Sequence, residues 1–119
     1  MTRVLVCGGR DYDDWKAVFA VLDAIRELHG PLTIIEGGAN GADCLARRWA
    51  TERKAGLVTV PADWKQHGRA AGPIRNRVML ADHRPNYVLA FPGGKGTRDM
   101  VRQAEAFGVT VFIPSDSRP

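Results

Sequence analysis

Apolar residues occur along the chain in two alternating patterns. Short continuous apolar runs, typical of strands buried in a parallel sheet, alternate with segments in which apolar residues recur every three to four positions. The runs predict five strands, at residues 4–7, 32–35, 57–60, 86–91 and 109–113. The periodic segments predict helices at residues 14–29, 40–54, 74–81 and 98–107. Strands alternating with helices predict an α/β fold, a single Rossmann-like three-layer domain with a parallel sheet of about five strands and right-handed crossovers.

Each predicted helix has an apolar face that we expect to pack on the sheet. The first helix, which Asp13 or Asp14 can cap, presents Trp15, Val18, Phe19, Leu22 and Ile25. The later helices present Ala42, Leu45, Ala46 and Trp49, then Ile74, Val78 and Met79, and last Met100, Val101, Ala104 and Phe107. Residues 62–73 have no such period and predict the longest loop. Long loops in small domains are usually functional or disordered, and Trp64 favours function here.

Three glycine-rich turns each follow a predicted strand. They contain Gly8, Gly9 and Arg10, then Gly37, Gly38 and Asn40, and last Gly93, Gly94, Gly96 and Thr97. The carboxyl ends of parallel strands meet at one edge of a sheet, so we expect the three turns to converge on a crevice. A glycine turn that leads into a helix presents backbone N–H groups and the positive end of the helix dipole to an anion. The turns therefore predict a shared phosphate pocket, although any one of them alone is equally a plain connection.

Basic side chains near the predicted crevice support an anionic ligand. Arg75 and Asn76 fall in the first turn of the third predicted helix, after Pro73. A cation is unfavourable at the positive end of a helix dipole, so its position indicates that an anion binds there; a solvated arginine is the alternative. Trp64 and Arg69 in the preceding loop are further candidates for ligand contact.

Length, charge and cysteine content narrow the alternatives. The 119 residues fit one domain, with a flexible tail predicted at residues 114–119. The net charge of +4 fits either a nucleic-acid surface or a local anion pocket. The chain has no apolar run long enough for a membrane span and no signal-peptide pattern, so we expect a cytoplasmic protein. Cys7 and Cys44 are interpreted as small buried hydrophobic residues, and neither a metal nor a cofactor is expected.

Four spaced motifs carry a family resemblance: GGRDY at Gly8, GGANGAD at Gly37, W-x3-GRAAGPIRNRxML at Trp64 and PGGKGT at Pro92. Together they resemble the YspA-like, YpsA-related branch of the SLOG superfamily, over nearly the whole of residues 4–113. That superfamily is similar in fold to Rossmann-type proteins and includes Lonely Guy phosphoribohydrolases, DNA-processing protein A and sensor domains for nucleotide-derived signals. The resemblance implies a nucleotide-derived ligand and, because Lonely Guy enzymes form dimers, a homodimer or larger homo-oligomer.

The resemblance to the Lonely Guy enzymes is weaker at the catalytic position. Their pattern expects a glutamate three residues after the threonine of PGGxGT, where this chain has Met100. The neighbouring Asp99 would point about 100° away on a helix. A phosphoribohydrolase needs a carboxylate near the ribose while the N-glycosidic bond breaks. The candidates for this role are Asp43, Asp11 and Glu36, of which Asp43 also fits a plain helix first turn and Glu36 a plain strand end.

Three functions follow from these observations. The first is binding of a nucleoside monophosphate, an ADP-ribose-like molecule or a cyclic nucleotide, as a sensor or sequestering module, with Asp43 accepting from a ribose hydroxyl. The second is hydrolysis of nucleoside monophosphates. The third is binding of single-stranded DNA, which ranks last because only Trp64 and Tyr12 offer a stacking surface.

Overall fold

The computed structural model describes residues 1–114, so the predicted tail beyond Pro114 lies outside the described residues. The strands are β1 (Thr2–Cys7), β2 (Leu32–Glu36), β3 (Gly56–Thr59), β4 (Tyr87–Ala90) and β5 (Thr110–Phe112). The helices are α1 (Trp15–His29), α2 (Ala42–Glu52), α3 (Trp64–His67), a 3-10 turn (Gly68–Ala70), α4 (Ala71–His83) and α5 (Lys95–Ala106). None of these helices is long and apolar enough to cross a membrane. The predicted three-layer α/β fold with a five-stranded parallel sheet is confirmed.

The strand order determines where a ligand can enter the fold. The order is β3-β2-β1-β4-β5, and every neighbouring pair is parallel. From β1 the chain adds β2 and then β3 on one side, and it then returns to add β4 and β5 on the other side of β1. The direction in which strands are added therefore reverses between β1 and β4. Open α/β sheets bind ligands in the crevice outside the carboxyl ends of the strands at such a reversal.

Two apolar clusters hold the layers together, one on each face of the sheet. Alternate residues of β1 point to opposite faces, so Val4 and Val6 join the cluster beneath α1 and α2, which includes Trp49. Leu5 and Cys7 join the cluster beneath α4 and α5. Both clusters reach the carboxyl edge of the sheet, so the residues that follow β1, β2 and β4 are positioned by a packed core.

The prediction of one long loop at residues 62–73 is wrong. Asp63 caps α3 by accepting a hydrogen bond from the Gln66 N–H at 3.0 Å. Gly68, with φ 55°, ends that helix, and α4 begins at Ala71, three residues earlier than predicted. The sequence pattern failed because every residue of α3 is exposed, so this short helix has no apolar face to reveal it.

Several residues predicted to be buried are exposed instead. Trp15, at the first position of α1, is 41% exposed and lies edge-on to Phe19 at the rim of the core. Ile74 lies on the outer side of α4, and Phe107 follows the last residue of α5. Cys44 is exposed because the two preceding residues of α2 take the inward positions. Cys7 is buried as predicted.

Candidate functional site

An open crevice of about 490 Å³ lies at the carboxyl edge of the sheet between β1 and β4. A second cavity of about 340 Å³ adjoins it on the side of β2. Both volumes fall in the range of roughly 300–1,000 Å³ that is usual for small-molecule sites. Arg10, Trp64 and Arg75 line both cavities. The two cavities therefore form one site with a shared wall.

Most of the residues predicted to bind a ligand lie around these two cavities. The larger cavity is lined by Gly8, Gly9, Arg10, Asp43, Trp64, Arg69, Arg75, Asn76, Gly94, Gly96 and Thr97. The smaller cavity adds Gly37, Gly38 and Asn40. Gly93 lines neither cavity, and a Cβ atom there would lie 2.7 Å from the Gly9 nitrogen, so this glycine allows the first and third turns to pack together. Asp11 is exposed and lines neither cavity, which places this catalytic candidate outside the crevice.

A wider groove of about 560 Å³ lies elsewhere, between α5 and the end of β5. Its lining includes Phe91, Val101 and Ile113 and is mainly apolar. Of the predicted ligand-binding residues, Thr97 alone lines this groove. No glycine of the three turns lines this groove, so we place the candidate site in the two cavities described above.

The turn between β2 and α2 already binds anions of the protein itself. The Asp43 Oδ2 atom accepts hydrogen bonds from the Gly37 and Ala39 N–H groups at 3.1 and 3.2 Å. The Glu36 Oε1 atom accepts from the Gly38 N–H at 2.7 Å. The Gly37 and Gly38 N–H groups, which we predicted to hold a phosphate, therefore already have acceptors within the protein. The side chains of this turn satisfy its donors before any ligand arrives.

Glu36 is a structural residue rather than a ligand contact. Its carboxylate is wholly buried and also accepts hydrogen bonds from Arg47 Nη1 at 2.9 Å and from the Thr59 hydroxyl. These bonds join the end of β2 to α2 and β3. Since the carboxylate lines neither cavity, the catalytic role proposed for Glu36 is not available to it.

Asp43 is the buried carboxylate that does reach the larger cavity. It is 7% exposed, and burial raises its pKa above the ordinary range. The Ala39 and Gly37 N–H groups and the Arg75 cation act in the opposite direction, while the Glu36 carboxylate adds to the increase in pKa. Within residues 1–114, the Oδ1 atom of Asp43 has no hydrogen-bond donor. It can therefore accept a hydrogen bond from a ligand in the crevice.

Arg75 and Asn76 connect the second turn to the third. Arg75 donates from Nη1 to the Gly37 carbonyl at 2.7 Å and from Nε to Asn76 Oδ1 at 3.0 Å. Asn76, which is buried, donates from Nδ2 to Asp99 Oδ2 at 3.0 Å and to the Gly96 carbonyl at 3.3 Å. Both amide protons of Asn76 are used within the protein. We therefore assign Asn76 to positioning Arg75 and the start of α5 rather than to direct ligand contact.

Two arginines bring positive charge to the shared wall. Burial lowers the pKa of Arg75; the Asp43 carboxylate opposes this effect, and the Arg10 cation adds to it. Arg10 is exposed, and its guanidinium lies over the Trp64 ring, 5.5 Å from the centroid. In residues 1–114 neither arginine forms an ion pair. Both remain available to an anion.

The turn between β4 and α5 differs from the β2–α2 turn in its backbone donors. Gly94 is the N-cap of α5, so no side chain caps the helix, and its first turn holds no acidic residue. The N–H groups of Lys95, Gly96 and Thr97 have no acceptor within residues 1–114, as expected for the first residues of an uncapped helix. All three residues line the larger cavity. Unpaired N–H groups at a helix start have the geometry that anion sites usually use.

Sequence reasoning did not include an acidic residue of α5 among the candidates. Met100, where the Lonely Guy pattern has its glutamate, is 1% exposed and packs in the core. Asp99 lines the larger cavity instead, and it accepts hydrogen bonds from Asn76, Arg102 and Gln103. The apolar stripe of this helix had already placed position 100 inwards, so the sequence contained the signal that position 99 faces the crevice.

The floor of the larger cavity is uncharged. Cys7 and Met79 lie there, and burial raises the pKa of the Cys7 thiol to about 12. The thiol therefore stays protonated at neutral pH and is a poor nucleophile. Within the part of the chain that the structure describes, no three His, Cys, Asp or Glu side chains lie together as a metal site. The crevice thus offers an apolar floor, backbone donors, two arginines and one carboxylate oxygen.

This arrangement defines a Rossmann-like α/β protein with an open crevice at the reversal point of its sheet. The family model of the YspA, cpYpsA-related SLOG family (YAcAr) matches residues 2–67. The Gene 61 protein of Mycobacterium phage D29 is 38% identical over 120 residues, which cover 94% of this chain and 95% of that protein. The chain belongs to the YspA, cpYpsA-related SLOG family, as the resemblance of its motifs predicted.

A solved structure agrees with the fold. The X-ray structure of DNA processing protein A from Streptococcus pneumoniae is similar with a TM-score of 0.77 and covers 98% of this chain. This chain spans about half of that structure, 52% of its length, and is 20% identical to it. The likeness therefore shows the fold alone.

Proposed function

We propose that the crevice binds a nucleotide-derived ligand, such as a nucleoside monophosphate, an ADP-ribose-like molecule or a cyclic nucleotide, as a sensor or sequestering module. One observation carries this proposal. The uncapped start of α5 faces a crevice of about 490 Å³ in which Arg10 and Arg75 have no ion-pair partner within residues 1–114. Backbone donors at a helix start combined with forked arginine donors suit a phosphate group.

The proposed binding mode assigns each part of the ligand to a chemically matching part of the crevice. A phosphate binds the N–H groups of residues 95–97 and the Thr97 hydroxyl, with Arg75 at its side. A ribose hydroxyl donates to the free Oδ1 atom of Asp43. The base lies over the apolar floor, near the half-exposed ring of Trp64. Arg69 contributes positive charge at the rim.

Isothermal titration calorimetry tests the proposal with AMP, ADP-ribose and cyclic dinucleotides. We expect at least one of them to bind, and Arg75→Ala to weaken its binding by about 1.5–3 kcal/mol, the usual contribution of a hydrogen bond to a charged group. Arg77→Ala, an exposed neighbour on the same helix that lines neither cavity, is the matched control. Because Arg75 also binds the Gly37 carbonyl, a thermal melt must show that the variant is folded. No binding of any of these compounds at millimolar concentration contradicts the proposal.

Single-stranded DNA is the second candidate, and the distribution of charge favours it. From Trp64 to Arg102 the basic residues are Lys65, Arg69, Arg75, Arg77, Arg84, Lys95, Arg98 and Arg102, and the acidic residues are Asp82 and Asp99. The fold is also similar to that of DNA processing protein A, a protein whose name refers to DNA, which gives this candidate some support. This candidate predicts affinity that increases with strand length and falls steeply with salt. Salt-insensitive binding of mononucleotides without binding of oligonucleotides contradicts it.

Hydrolysis of nucleoside monophosphates is the remaining candidate. Met100 is in the core, so the carboxylates at the crevice are Asp43 and Asp99, both of which already accept hydrogen bonds from the protein. This candidate predicts release of free base from AMP or a related nucleotide and its loss in Asp43→Asn. If the protein binds a nucleotide but leaves it intact over hours of incubation, the result supports the binding function instead.

A homo-oligomer and a cytoplasmic location remain part of the proposal. Trp64 is 49% exposed and lies beside its own crevice, where a second subunit has access to it. Aromatic residues of this kind often anchor interfaces. Light scattering should show a dimer or larger assembly, and Trp64→Ala should weaken ligand binding. A 13 kDa monomer at micromolar concentration contradicts the assembly.

A further inference from the structure

The two cavities of the crevice differ in what they offer a ligand. The larger cavity ends at the open backbone donors of residues 95–97. The smaller one is bounded by the β2–α2 turn, whose donors at residues 37–39 are already taken by Asp43 and Glu36, and by Pro61 and Ala62. A phosphate has donors to bind in the larger cavity but not at this turn. The smaller cavity therefore suits an uncharged, polar part of a ligand.

The wall between the cavities is positively charged. Arg10 and Arg75 line both cavities, and in residues 1–114 neither has an ion-pair partner. Two neighbouring cations repel each other, and an anion placed between them removes that repulsion. Guanidinium groups bind phosphate oxygens in a forked geometry, so a second phosphate is the group that best fits this wall.

We propose that the ligand of this crevice is a nucleoside diphosphate whose terminal phosphate carries an uncharged sugar-like group. This inference rests on the proposed function and narrows it to one ligand class. The nucleoside and first phosphate occupy the larger cavity, with that phosphate on the start of α5. The second phosphate lies at Arg10 and Arg75, and the sugar-like group fills the smaller cavity. A mononucleotide, whose phosphate lies at the start of α5 beside Arg75, would leave Arg10 without a phosphate and the smaller cavity empty.

The contact between Arg10 and Trp64 lies at the surface of the crevice, where movement of the two side chains would let such a ligand enter. Arg10 is exposed and lies over a ring that is itself half exposed, so both side chains can move without disturbing the core. Arg75, by contrast, is fixed by the Gly37 carbonyl and by Asn76. We expect Arg75 to provide the fixed side of the second phosphate site and Arg10 to close over it.

A graded series of ligands tests this inference by calorimetry: AMP, ADP and ADP-ribose, and the guanine series GMP, GDP and GDP-mannose. In one of the two series we expect affinity to increase about tenfold at each step, since each step adds one occupied part of the site. Arg10→Ala should weaken the diphosphate and the sugar-bearing ligand about tenfold more than it weakens the monophosphate. Arg48→Ala is the matched control, because Arg48 also lies over an exposed aromatic ring, Trp15 at 5.4 Å, but lines neither cavity.

A variant that fills the smaller cavity measures the contribution of the sugar-like group to affinity separately from that of the diphosphate. Ala62→Trp places a large ring in that cavity and should reduce the affinity for the sugar-bearing ligand to that of the diphosphate, with the diphosphate unchanged. Asn40→Trp, at a position that lines the same cavity, repeats the test if Ala62→Trp does not fold.

The outcomes distinguish this inference from the function on which it rests. Equal affinity for the mono-, di- and sugar-bearing ligands overturns the inference and leaves nucleotide binding in place. Equal weakening of all three ligands by either tryptophan variant has the same meaning, because the smaller cavity would then not hold a separate group. Failure of every ligand in both series to bind at millimolar concentration overturns the proposed function together with the inference.

Discussion

The turn between β2 and α2 and the turn between β4 and α5 look alike in sequence but differ in whether their backbone donors have acceptors within the protein. Both follow a parallel strand, contain adjacent glycines and lead into a helix at the same edge of the sheet. In the first turn, Asp43 and Glu36 accept from the backbone N–H groups. In the second turn, no acidic residue stands in the first turn of the helix. A glycine motif thus keeps its backbone donors open to an anion only where the chain does not supply its own.

The glycines of the two turns also serve different purposes. A Cβ atom at Gly37 would lie 2.2 Å from Arg75 Nη1, so this glycine is needed for close packing within the protein. A Cβ atom at Gly94 or Gly96 would meet no side chain and no other segment of residues 1–114 within 4 Å. Glycine there leaves space and open backbone donors at the crevice. We therefore predict that the first turn contributes mainly to stability and the second to binding.

The largest expected effect comes from adding a methyl group to each turn. Gly41→Ala forces a side chain onto φ 71° and places its Cβ 2.0 Å from the Gly9 carbonyl oxygen, which belongs to another turn. Strain and overpacking together should lower the free energy of unfolding by about 3 kcal/mol or more. Gly96→Ala, in the open first turn of α5, should change it by less than about 1 kcal/mol, in the stabilising direction. Urea unfolding of both variants measures the contrast, and equal stability would remove the distinction between the turns.

Glu36→Gln should have the next largest effect on stability. Glu36 is one of the two carboxylates that accept from the N–H groups of the β2–α2 turn, which we call the filled turn; the β4–α5 turn is the open turn. Glu36→Gln keeps the shape but removes the charge that accepts from Arg47, Gly38 and Thr59. Weakening of these buried, charged hydrogen bonds should cost about 2–4 kcal/mol in the free energy of unfolding. Glu52→Gln is the matched control, since its ion pair with Arg48 is exposed and should contribute at most about 0.5 kcal/mol. A similar small loss in both variants would mean that the Glu36 network does not stabilise the turn.

A single substitution should convert the open turn into a filled one. Gly94→Asp places a carboxylate at the N-cap of α5, where it can accept from the free N–H groups as Asp43 does in the other turn. We expect stability to increase by about 1 kcal/mol, the usual value of a good N-cap, and affinity for phosphate-bearing ligands to be lost. Gly94→Asn is the control, because it caps the helix without the negative charge. Unchanged affinity in Gly94→Asp would show that phosphate binds elsewhere.

The sequence was sufficient to predict the order and type of the elements that pack on the core. Continuous apolar runs are distinctive, and each strand of the sheet corresponds to one of them. The helix α3 was missed because it buries nothing. The helix α2 was predicted two residues too long at each end, because it starts after Gly41, which has no capping side chain, and ends before Lys54, which has φ 54°. Local patterns predict elements that pack on the core and fail for those that do not.

The sequence also predicted which turns meet at the crevice, since this follows from a parallel sheet alone. It could not distinguish the filled turn from the open one. That difference depends on the directions of the Asp43 and Glu36 side chains and on a hydrogen bond from Arg75 to Gly37, which are 38 positions apart in the chain. Such contacts arise only when α4 is placed beside β2. Asp99 was not chosen as a candidate because it was judged by the position of the Lonely Guy glutamate and not by the apolar face of α5.

The smallest expected effect is a dependence on pH of the stability that Asp43 contributes in the β2–α2 turn. Burial raises the pKa of Asp43 above its ordinary value of 3.8, although two backbone N–H groups and Arg75 act in the opposite direction. A carboxyl group whose pKa is higher in the folded state binds its proton more tightly there, so its contribution to stability is complete below the unfolded pKa and declines as the pH increases through the folded pKa. The stability of the natural protein relative to Asp43→Asn should therefore decrease as the pH rises from about 3.8, and then level off. Urea unfolding of both proteins between about pH 3 and 7, the window that brackets this titration, measures the difference. A difference that increases with pH would mean that the hydrogen bonds from Gly37 and Ala39 outweigh burial, so that the turn stabilises the charged form of Asp43.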